Sequence, residues 1–297
     1  MSPRFQPWRD YSGRVSPLKL VVFASLFLPG IWIGFGFATR SGDFAARPLM
    51  EAIHQCGLWA IRFLMLALLV TPARQMLQWP RLILVRRMIG VAAFAYISTH
   101  FLLYVADQAF DLAKVASEIV LRIYLTIGFT ALFGLAVLTA TSTDGMMRRL
   151  GRNWPRLHRI VYGIGVLAAI HYSMQSKLDQ WEPFILAGMF AWLMLYRLAA
   201  LPYSKQRPLP IWVVVAVTLF AALGTAVGEA VYFWLGVGVD PMRVLAVNLT
   251  LQTGVRPAWF VLAAGLILTG AALGRSLWKR WGGRGIGIGG LRPARGR

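Results

Sequence analysis

Charged residues are scarce in this chain of 297 residues, and their scarcity excludes a water-soluble globular protein. Only 14% of the residues are charged, whereas a soluble domain carries about 25%. Hydrophobic residues make up 58%, which also excludes a disordered chain, because disordered chains are poor in apolar residues. The composition therefore predicts a polytopic membrane protein, with room for about six to nine spans of about 20 residues each.

Cysteine is almost absent, since Cys56 is the only one in the sequence. A single thiol excludes an intrachain disulfide, a thiolate metal cluster and covalent attachment of haem through a CxxCH motif. The sequence also has no glycine-rich phosphate-binding loop followed by a lysine. We therefore expect no nucleotide-binding domain, and any haem would be a non-covalent, b-type haem.

Long apolar runs predict an all-α fold, a bundle of about eight transmembrane helices. The runs are rich in Leu, Ile, Val and Phe and lack the alternation of barrel strands. Each is about long enough to cross a hydrocarbon core of about 30 Å as a helix. They cover residues 18–38, 50–70, 82–105, 119–140, 157–175, 183–201, 211–235 and 258–277.

The distribution of charge predicts the orientation of the spans. The sequence has 31 Lys and Arg against 11 Asp and Glu, a net charge of +20. With the N-terminus in the cytoplasm, the inner segments hold 23 basic and two acidic residues, and the outer segments hold six basic and nine acidic residues. Because basic residues collect on the cytoplasmic side, we expect both termini inside. This topology accounts for the net charge without a nucleic acid partner.

Histidine is also rare, and all four histidines lie within the predicted spans. His54, His100 and His171 fall on the outer side, and His158 opens the fifth span on the inner side. Ionisable side chains in a bilayer are costly and are functional candidates by default. Two imidazoles on different helices can hold a haem iron between them. We therefore expect His100 and His171 to bind an outer b haem, with His54 as a reserve ligand or hydrogen-bond partner.

His158 is predicted to serve a second cofactor near the inner surface. It precedes His171 by 13 residues, about 20 Å along a helix, which is too far for both to bind one iron. On a straight helix the two would point about 140° apart. Gly163 and Gly165 leave room for a macrocycle or for close helix packing. A proton relay and structural hydrogen bonds between helices remain open as other uses of the histidines.

Arginines at the inner ends of the spans are candidate ligands for an anionic group. Arg86 and Arg87, and the basic residues of 148–159, could pair with haem propionates or with a flavin phosphate. The alternative is that they only anchor the spans on the cytoplasmic side.

Four stretches of the sequence resemble the MsrQ (YedZ) family of ferric-reductase-like membrane proteins. The longest is TSTDGMMRRLGRNWPRLHRIVYGIGVLAAIHY at 141–172, which contains two of the histidines. The others are RRMIGVAAFAYISTHFLLY at 86–104, RIYLTIG at 122–128 and, more weakly, IHQCGLWAIRFLMLALLVTP at 53–72. The resemblance covers about residues 15–200. It implies a six-span haem-binding core (18–201). The charge distribution predicts a cytoplasmic N-terminus (1–17), the apolar runs predict two additional spans (202–280) beyond the family pattern, and the Gly/Arg-rich composition predicts a flexible basic tail (281–297).

The resemblance implies a role in electron transfer across the bacterial inner membrane. Members of the family deliver electrons from the quinone pool to a periplasmic molybdenum-containing methionine sulfoxide reductase, MsrP, with haem b and FMN as cofactors. His100, His158 and His171 match the haem-linked histidines of the family. Related oxidases have a second, inner histidine on span 3, and here that place falls near Arg86 and Arg87. The inner haem would therefore need a different second ligand.

Two other classes of function remain as alternatives to an electron conduit. A proton- or ion-coupled transporter would favour acids in the middle of spans, where Glu229 is the one candidate, and a detectable repeat. A structural membrane subunit would have no redox chemistry. The electron donor is also open, because a cytoplasmic flavin reductase could replace quinol.

Overall fold

The computed structural model describes Trp8 and residues 13–177, 179–203, 208–250 and 254–282. The described residues form thirteen α-helices. In chain order these are α1 (Pro17–Ser25), α2 (Leu28–Thr39), α3 (Pro48–Met76), α4 (Ile83–Asp107), α5 (Leu112–Leu121), α6 (Ile123–Ala140), α7 (Asp144–Leu150), α8 (Trp154–Leu157), α9 (Ile160–Gln175), α10 (Trp181–Ala199), α11 (Ile211–Val237), α12 (Pro241–Asn248) and α13 (Pro257–Gly282). Most of the predicted N-terminal segment, and the predicted tail from 283 onward, lie outside the described residues.

The prediction of an all-helical membrane protein is confirmed. Seven of the described segments are long and apolar enough to cross a membrane, and α9 is a shorter apolar helix. The fifth predicted span is shorter than expected because Leu157 ends the separate helical turn α8 (Trp154–Leu157), and the long helix α9 begins only at Ile160. As a result His158 precedes α9, and the expected angle of 140° along one straight helix does not apply.

The first span is broken between α1 and α2, where Pro29 lies in the first turn of α2 and a side chain from α4 is inserted. The hydroxyl of Tyr96 accepts a hydrogen bond from the amide of Gly30 at 2.7 Å and donates one to the carbonyl of Leu26 at 2.9 Å. In an uninterrupted helix these two backbone groups would bond to each other. A side chain that enters the helical ladder in this way produces a kink.

Helix α3 continues past the predicted span end at Val70 and contains Pro72. A proline has no N–H, so the carbonyl four residues earlier, that of Leu68, loses its helical partner. The guanidinium of Arg197 on α10 donates to this carbonyl instead. The bond therefore joins the C-terminal part of α10 to α3.

The fourth predicted span begins later than expected. Residues 119–121 belong to α5, and the chain turns at Arg122, which has an extended backbone conformation, before α6 begins. The carbonyl of Ile119 accepts a hydrogen bond from the hydroxyl of Thr126, and this bond stabilises the turn. The break places Tyr124 in the first turn of α6.

Helix α3 lies at the centre of the bundle, in contact with α2, α4, α9, α10 and α13. Helices α6 and α9 form a second closely packed pair. Helices α11 and α13 pack against α10, where the indole of Trp192 donates to the buried hydroxyl of Thr218 at 2.9 Å. The core of the protein thus has α4 on one side of α3 and the α6–α9 pair facing it, with a cavity between them.

Candidate functional site: a cavity between two anchored histidines

The cavity lies between α3, α4, α6 and α9 and has a volume of about 350 Å³. Most of its wall is aliphatic, and three of the four histidines line it: His54, His100 and His171. Glu51, Tyr172 and Gln175 add further polar groups to its lining. A largely apolar cavity with a few convergent polar groups is the usual form of a cofactor site.

His100 is held by a backbone carbonyl of a neighbouring helix. Its Nδ1 atom lies 2.7 Å from the carbonyl oxygen of Ile53 on α3. Because a carbonyl oxygen can only accept, Nδ1 carries the proton of the neutral ring, and the lone pair is on Nε2. Histidines that bind metals usually donate their other ring N–H to a carbonyl or a carboxylate in this way.

His171 is held by the same arrangement on the other pair of helices. Its Nδ1 atom lies 2.8 Å from the carbonyl oxygen of Tyr124 on α6. The centroids of the His100 and His171 rings are 6.4 Å apart. Since bonds from a metal to imidazole nitrogen are about 2.0–2.1 Å long, this separation has room for one metal atom between two Nε2 atoms. The two side chains therefore fit the ligand set of a haem iron.

Each anchored histidine faces a glycine on the helix that holds it. A Cβ atom at Gly57 would lie 2.9 Å from Nδ1 of His100, and a Cβ atom at Gly128 would lie 2.7 Å from Nδ1 of His171. Both glycines follow the accepting carbonyl by four residues. Their missing side chains let each imidazole approach that carbonyl closely.

The two half-sites repeat at a fixed offset in the chain. In each, the histidine follows its carbonyl partner by 47 residues. The carbonyl, glycine and histidine of the second half-site lie 71 residues after those of the first. At the same offset Arg87 corresponds to His158, so the first half-site has an arginine where the second has a histidine.

His54 lies at the mouth of the cavity and is held differently. Its side chain is 52% exposed, and its Nδ1 atom lies 3.8 Å from Oε1 of Glu51. Its ring centroid is 6.4 Å from that of Tyr172. His54 thus lies beside the anchored pair, is exposed to solvent, and has no backbone carbonyl bound to its ring in the described structure.

His158 and the two predicted arginines lie at the other end of the bundle. The His158 ring stacks on Trp154 at 4.0 Å, and its Nε2 atom lies 3.2 Å from the hydroxyl of Thr141. Arg87 donates to the carboxylate of Asp144 and to the carbonyl of Ser142. The hydrogen bond from Arg87 lowers the pKa of the Asp144 carboxyl below its ordinary value.

Arg86 belongs to a group of arginines that the sequence analysis did not bring together. Arg86 on α4 lies within electrostatic range of Arg74 on α3 and of Arg197 on α10. Arg197 donates to the carbonyls of Leu193 and Leu68, and its guanidinium lies 5.5 Å from the centre of the Tyr162 ring; none of these groups carries a formal negative charge. Nε of Arg74 is buried and has no hydrogen-bond partner. Among the described residues, no carboxylate forms an ion pair with this arginine cluster of Arg74, Arg86 and Arg197.

The two glycines singled out in the sequence have other surroundings. A Cβ atom at Gly165 would lie 2.5 Å from the ring of Phe190 on α10, so this glycine serves close helix packing. Gly163 has no neighbouring atom within 4 Å of a Cβ position. The sequence analysis did not single out Gly57 and Gly128. Each lies four residues after the residue whose carbonyl binds a histidine, Ile53 or Tyr124.

Known proteins share most of this core. Residues 56–169 match the family described as "Ferric reductase like transmembrane component". The chain is 41% identical over 201 residues to the "Protein-methionine-sulfoxide reductase heme-binding subunit MsrQ" of Rhodospirillum rubrum, covering 67% of this chain and 92% of that protein. The proteins of the same name from Xanthomonas euvesicatoria pv. vesicatoria and Xanthomonas campestris pv. campestris are 40% and 41% identical, covering 67% and 60% of this chain and 95% and 84% of theirs. No solved structure matches.

These alignments span almost the whole length of the relatives, and the family match includes His100, Gly57 and Gly128. About a third of this chain lies outside them. The chain is a multi-pass membrane protein, and it belongs to the MsrQ family of ferric-reductase-like transmembrane proteins.

Proposed function

We propose that this chain binds a b-type haem between His100 and His171 and transfers electrons within a methionine sulfoxide reductase system. The observation that carries the proposal is the pair of imidazoles. In each, the Nδ1–H group donates a hydrogen bond to a backbone carbonyl, which leaves the lone pair of Nε2 available as a ligand. A bound haem supplies one-electron chemistry. The relatives named as haem-binding subunits support the same assignment.

The residues of the chain would hold the haem and tune it. The carbonyl bonds fix the tautomer and orientation of both rings and make them stronger ligands. The aliphatic wall, which includes Leu64, Ala131 and Leu135, keeps water from the group and thereby influences its reduction potential. His54 would act as a hydrogen-bond partner at the mouth.

The test is the visible absorption spectrum of the purified full-length protein. A Soret band and α/β bands that sharpen on reduction are expected. Neither a transporter nor a structural subunit would show these bands. Protein that is folded and free of absorbing cofactor, even after addition of haemin, would contradict the proposal.

A second cofactor is proposed at the opposite end, near the arginine cluster and His158. Three guanidiniums without a carboxylate partner favour an anionic group, such as the phosphate of FMN or the propionates of an inner haem. Arg87 stands at the position equivalent to His158, so an inner haem would have His158 as its one histidine ligand. Titration of the protein with FMN, and the ratio of haem to protein in His158→Ala, distinguish the two.

Quinol is proposed as the electron donor, with a cytoplasmic flavin reductase as the alternative. A second, mostly apolar cavity of about 390 Å³ lies between α2, α3 and α4 and includes Thr99, which adjoins His100. It supports a route by which a lipid-soluble donor enters from the side. In liposomes, reduction of the haem by a reduced quinone would support this donor. If only a flavin reductase reduces the haem, that protein and not quinol is the electron donor.

The proposed electron acceptor is MsrP, on the periplasmic side of the bacterial inner membrane. The charge asymmetry supports an orientation with the 106–118 and 177–182 loops outside and the 141–157 loop inside. A cysteine introduced at Gln108 should react with an impermeant reagent added from outside, and one at Gly151 should not. The opposite labelling pattern would reverse the direction of electron delivery.

The transporter alternative receives little support from Glu229. This carboxylate is buried in α11 and accepts hydrogen bonds from Arg256 and from the amide of Asn248. Such a fully engaged carboxylate suits a fixed structural charge better than a carrier of exchangeable protons.

A further inference from the structure

A charged pair outside the set of histidines and inner arginines is linked to the cavity by a hydrogen bond from one of the cavity's lining residues. Arg62 in the middle of α3 forms an ion pair with Glu182 in the first turn of α10. The other oxygen of Glu182 accepts a hydrogen bond from the hydroxyl of Tyr172 at 2.9 Å. Tyr172 lines the cavity and directly follows His171. An ionisable pair within the spans is costly to maintain and indicates a function.

The residue before this carboxylate, Trp181, is held by contacts with the last span and the loop that precedes it. Trp181, beside Glu182, donates its indole N–H to the carbonyl of Val255 at 3.0 Å. Its ring also contacts Phe260 of α13 edge to face at 5.0 Å. On the other side the guanidinium of Arg62 lies 5.0 Å from the centre of the Trp59 ring. Both charges are therefore fixed relative to the cavity.

We propose that the Arg62–Glu182 pair sets the reduction potential of the haem held in this cavity, with Tyr172 and Trp181 as positioning residues for the carboxylate. The inference rests on the proposed haem site. Reduction adds one negative charge to the haem. In a medium of low dielectric constant a nearby positive charge stabilises that state and a nearby negative charge opposes it. The neutral pair balances these two effects.

The pair gives two single variants with opposite expected signs. In Glu182→Gln the charge of Arg62 remains, because a guanidinium stays protonated in proteins, and the potential should rise. We expect at least a tenfold increase in the ratio of reduced to oxidised haem at a fixed potential, or about 59 mV for a one-electron couple. In Arg62→Gln the potential should fall, and in the double variant R62Q/E182Q it should return toward that of the wild type.

The chain offers a matched control pair of the same chemistry. Tyr104 donates to Glu118 at 2.8 Å, and Arg122 donates to the same carboxylate at 3.1 Å. Tyr104 does not line the cavity, whereas Tyr172 does, and the Arg122 side chain is 53% exposed against 35% for Arg62. Solvent therefore screens the arginine left unpaired in Glu118→Gln more strongly than the one left in Glu182→Gln, and Glu118→Gln should change the ratio less than twofold.

The experiment is a redox titration of full-length, haem-loaded protein, followed in the haem α band. The part of the α-band titration that is absent in His100→Ala is assigned to the haem of this cavity. An unchanged or lowered potential in Glu182→Gln, or a double variant that keeps the whole shift of the single one, would overturn the inference. If Glu182→Gln does not accumulate, the fall expected in Arg62→Gln decides. Absence of haem from the wild type would instead defeat the proposed function.

Discussion

His100 and His171 at one end of the bundle are each bound by a backbone carbonyl, whereas His158 at the other end contacts a hydroxyl and an indole ring. The first two rings have a defined tautomer, a glycine that admits them and a shared cavity. The arginine cluster and the ion pair of Arg87 and Asp144 lie at the same end as His158. The comparison supports the proposals that a metal is held between two imidazoles at one end and an anion beside one imidazole at the other.

The largest effect is expected from removal of an anchored histidine. His100→Ala and His171→Ala should each abolish binding of the haem in this cavity, because a single imidazole and an apolar wall remain. His54→Ala, at the exposed mouth, should keep the haem with a mildly altered spectrum. Haem content per protein measures all three. Loss of haem in His54→Ala with retention in His100→Ala would show that the ligands are wrongly assigned.

A smaller loss is expected from the glycines that admit the two rings. A Cβ atom in Gly57→Ala or Gly128→Ala would push the imidazole away from its carbonyl. Loss of such a supporting contact typically weakens metal affinity about 10–100-fold. The matched control is Gly163→Ala, where a Cβ atom meets open space. Haem titration of the apoproteins measures the difference, and equal affinities in all three variants would contradict the role of the glycines.

The sequence predicted the all-helical fold and brought out His100 and His171, because span length and rare histidines are local signals. It did not predict the break in the first span, where Pro29 was a local signal and Tyr96 enters the helix ladder from α4. It also put residues 157–159 inside a span, whereas Leu157 ends the separate helical turn α8 and α9 begins at Ile160. Hydropathy records neither the contact of Tyr96 nor the turn before α9.

The supporting residues of the site were harder to predict than the ligands. Gly57 and Gly128 became recognisable only with the carbonyls of Ile53 and Tyr124, which bind histidines 47 residues away. A search for a repeated spacing of glycine and histidine could have found them. The ion pair of Arg62 and Glu182 joins residues 120 positions apart, and the sequence offered only the sign of each charge.

At the end of the bundle that holds His158, removal of Arg86 should weaken the binding of the anionic cofactor proposed there. With Arg74 and Arg197 it forms a group of positive charge without a carboxylate partner among the described residues. We expect Arg86→Gln to raise the dissociation constant for FMN at least tenfold, and binding to weaken with added salt. Arg81→Gln, at an exposed arginine in the turn just before α4, is the matched control. Equal binding by wild type and Arg86→Gln in a fluorescence titration would exclude this site.

The smallest effect is expected from the pair of Arg87 and Asp144, which joins α4 to α7. Because the pKa of Asp144 is lowered in the folded protein, the ionised carboxylate stabilises the fold above its ordinary pKa of 3.8. This contribution is lost as the pH falls through the lower folded value. Both side chains are partly exposed, at 36% and 55%, so Asp144→Asn should cost no more than about 1 kcal/mol at pH 7. Thermal unfolding in detergent should show this small loss at pH 7 and none below the folded pKa, whereas the exposed Asp107→Asn should be neutral at both. A loss that persists at acid pH would mean that Asp144 acts through packing rather than through its charge.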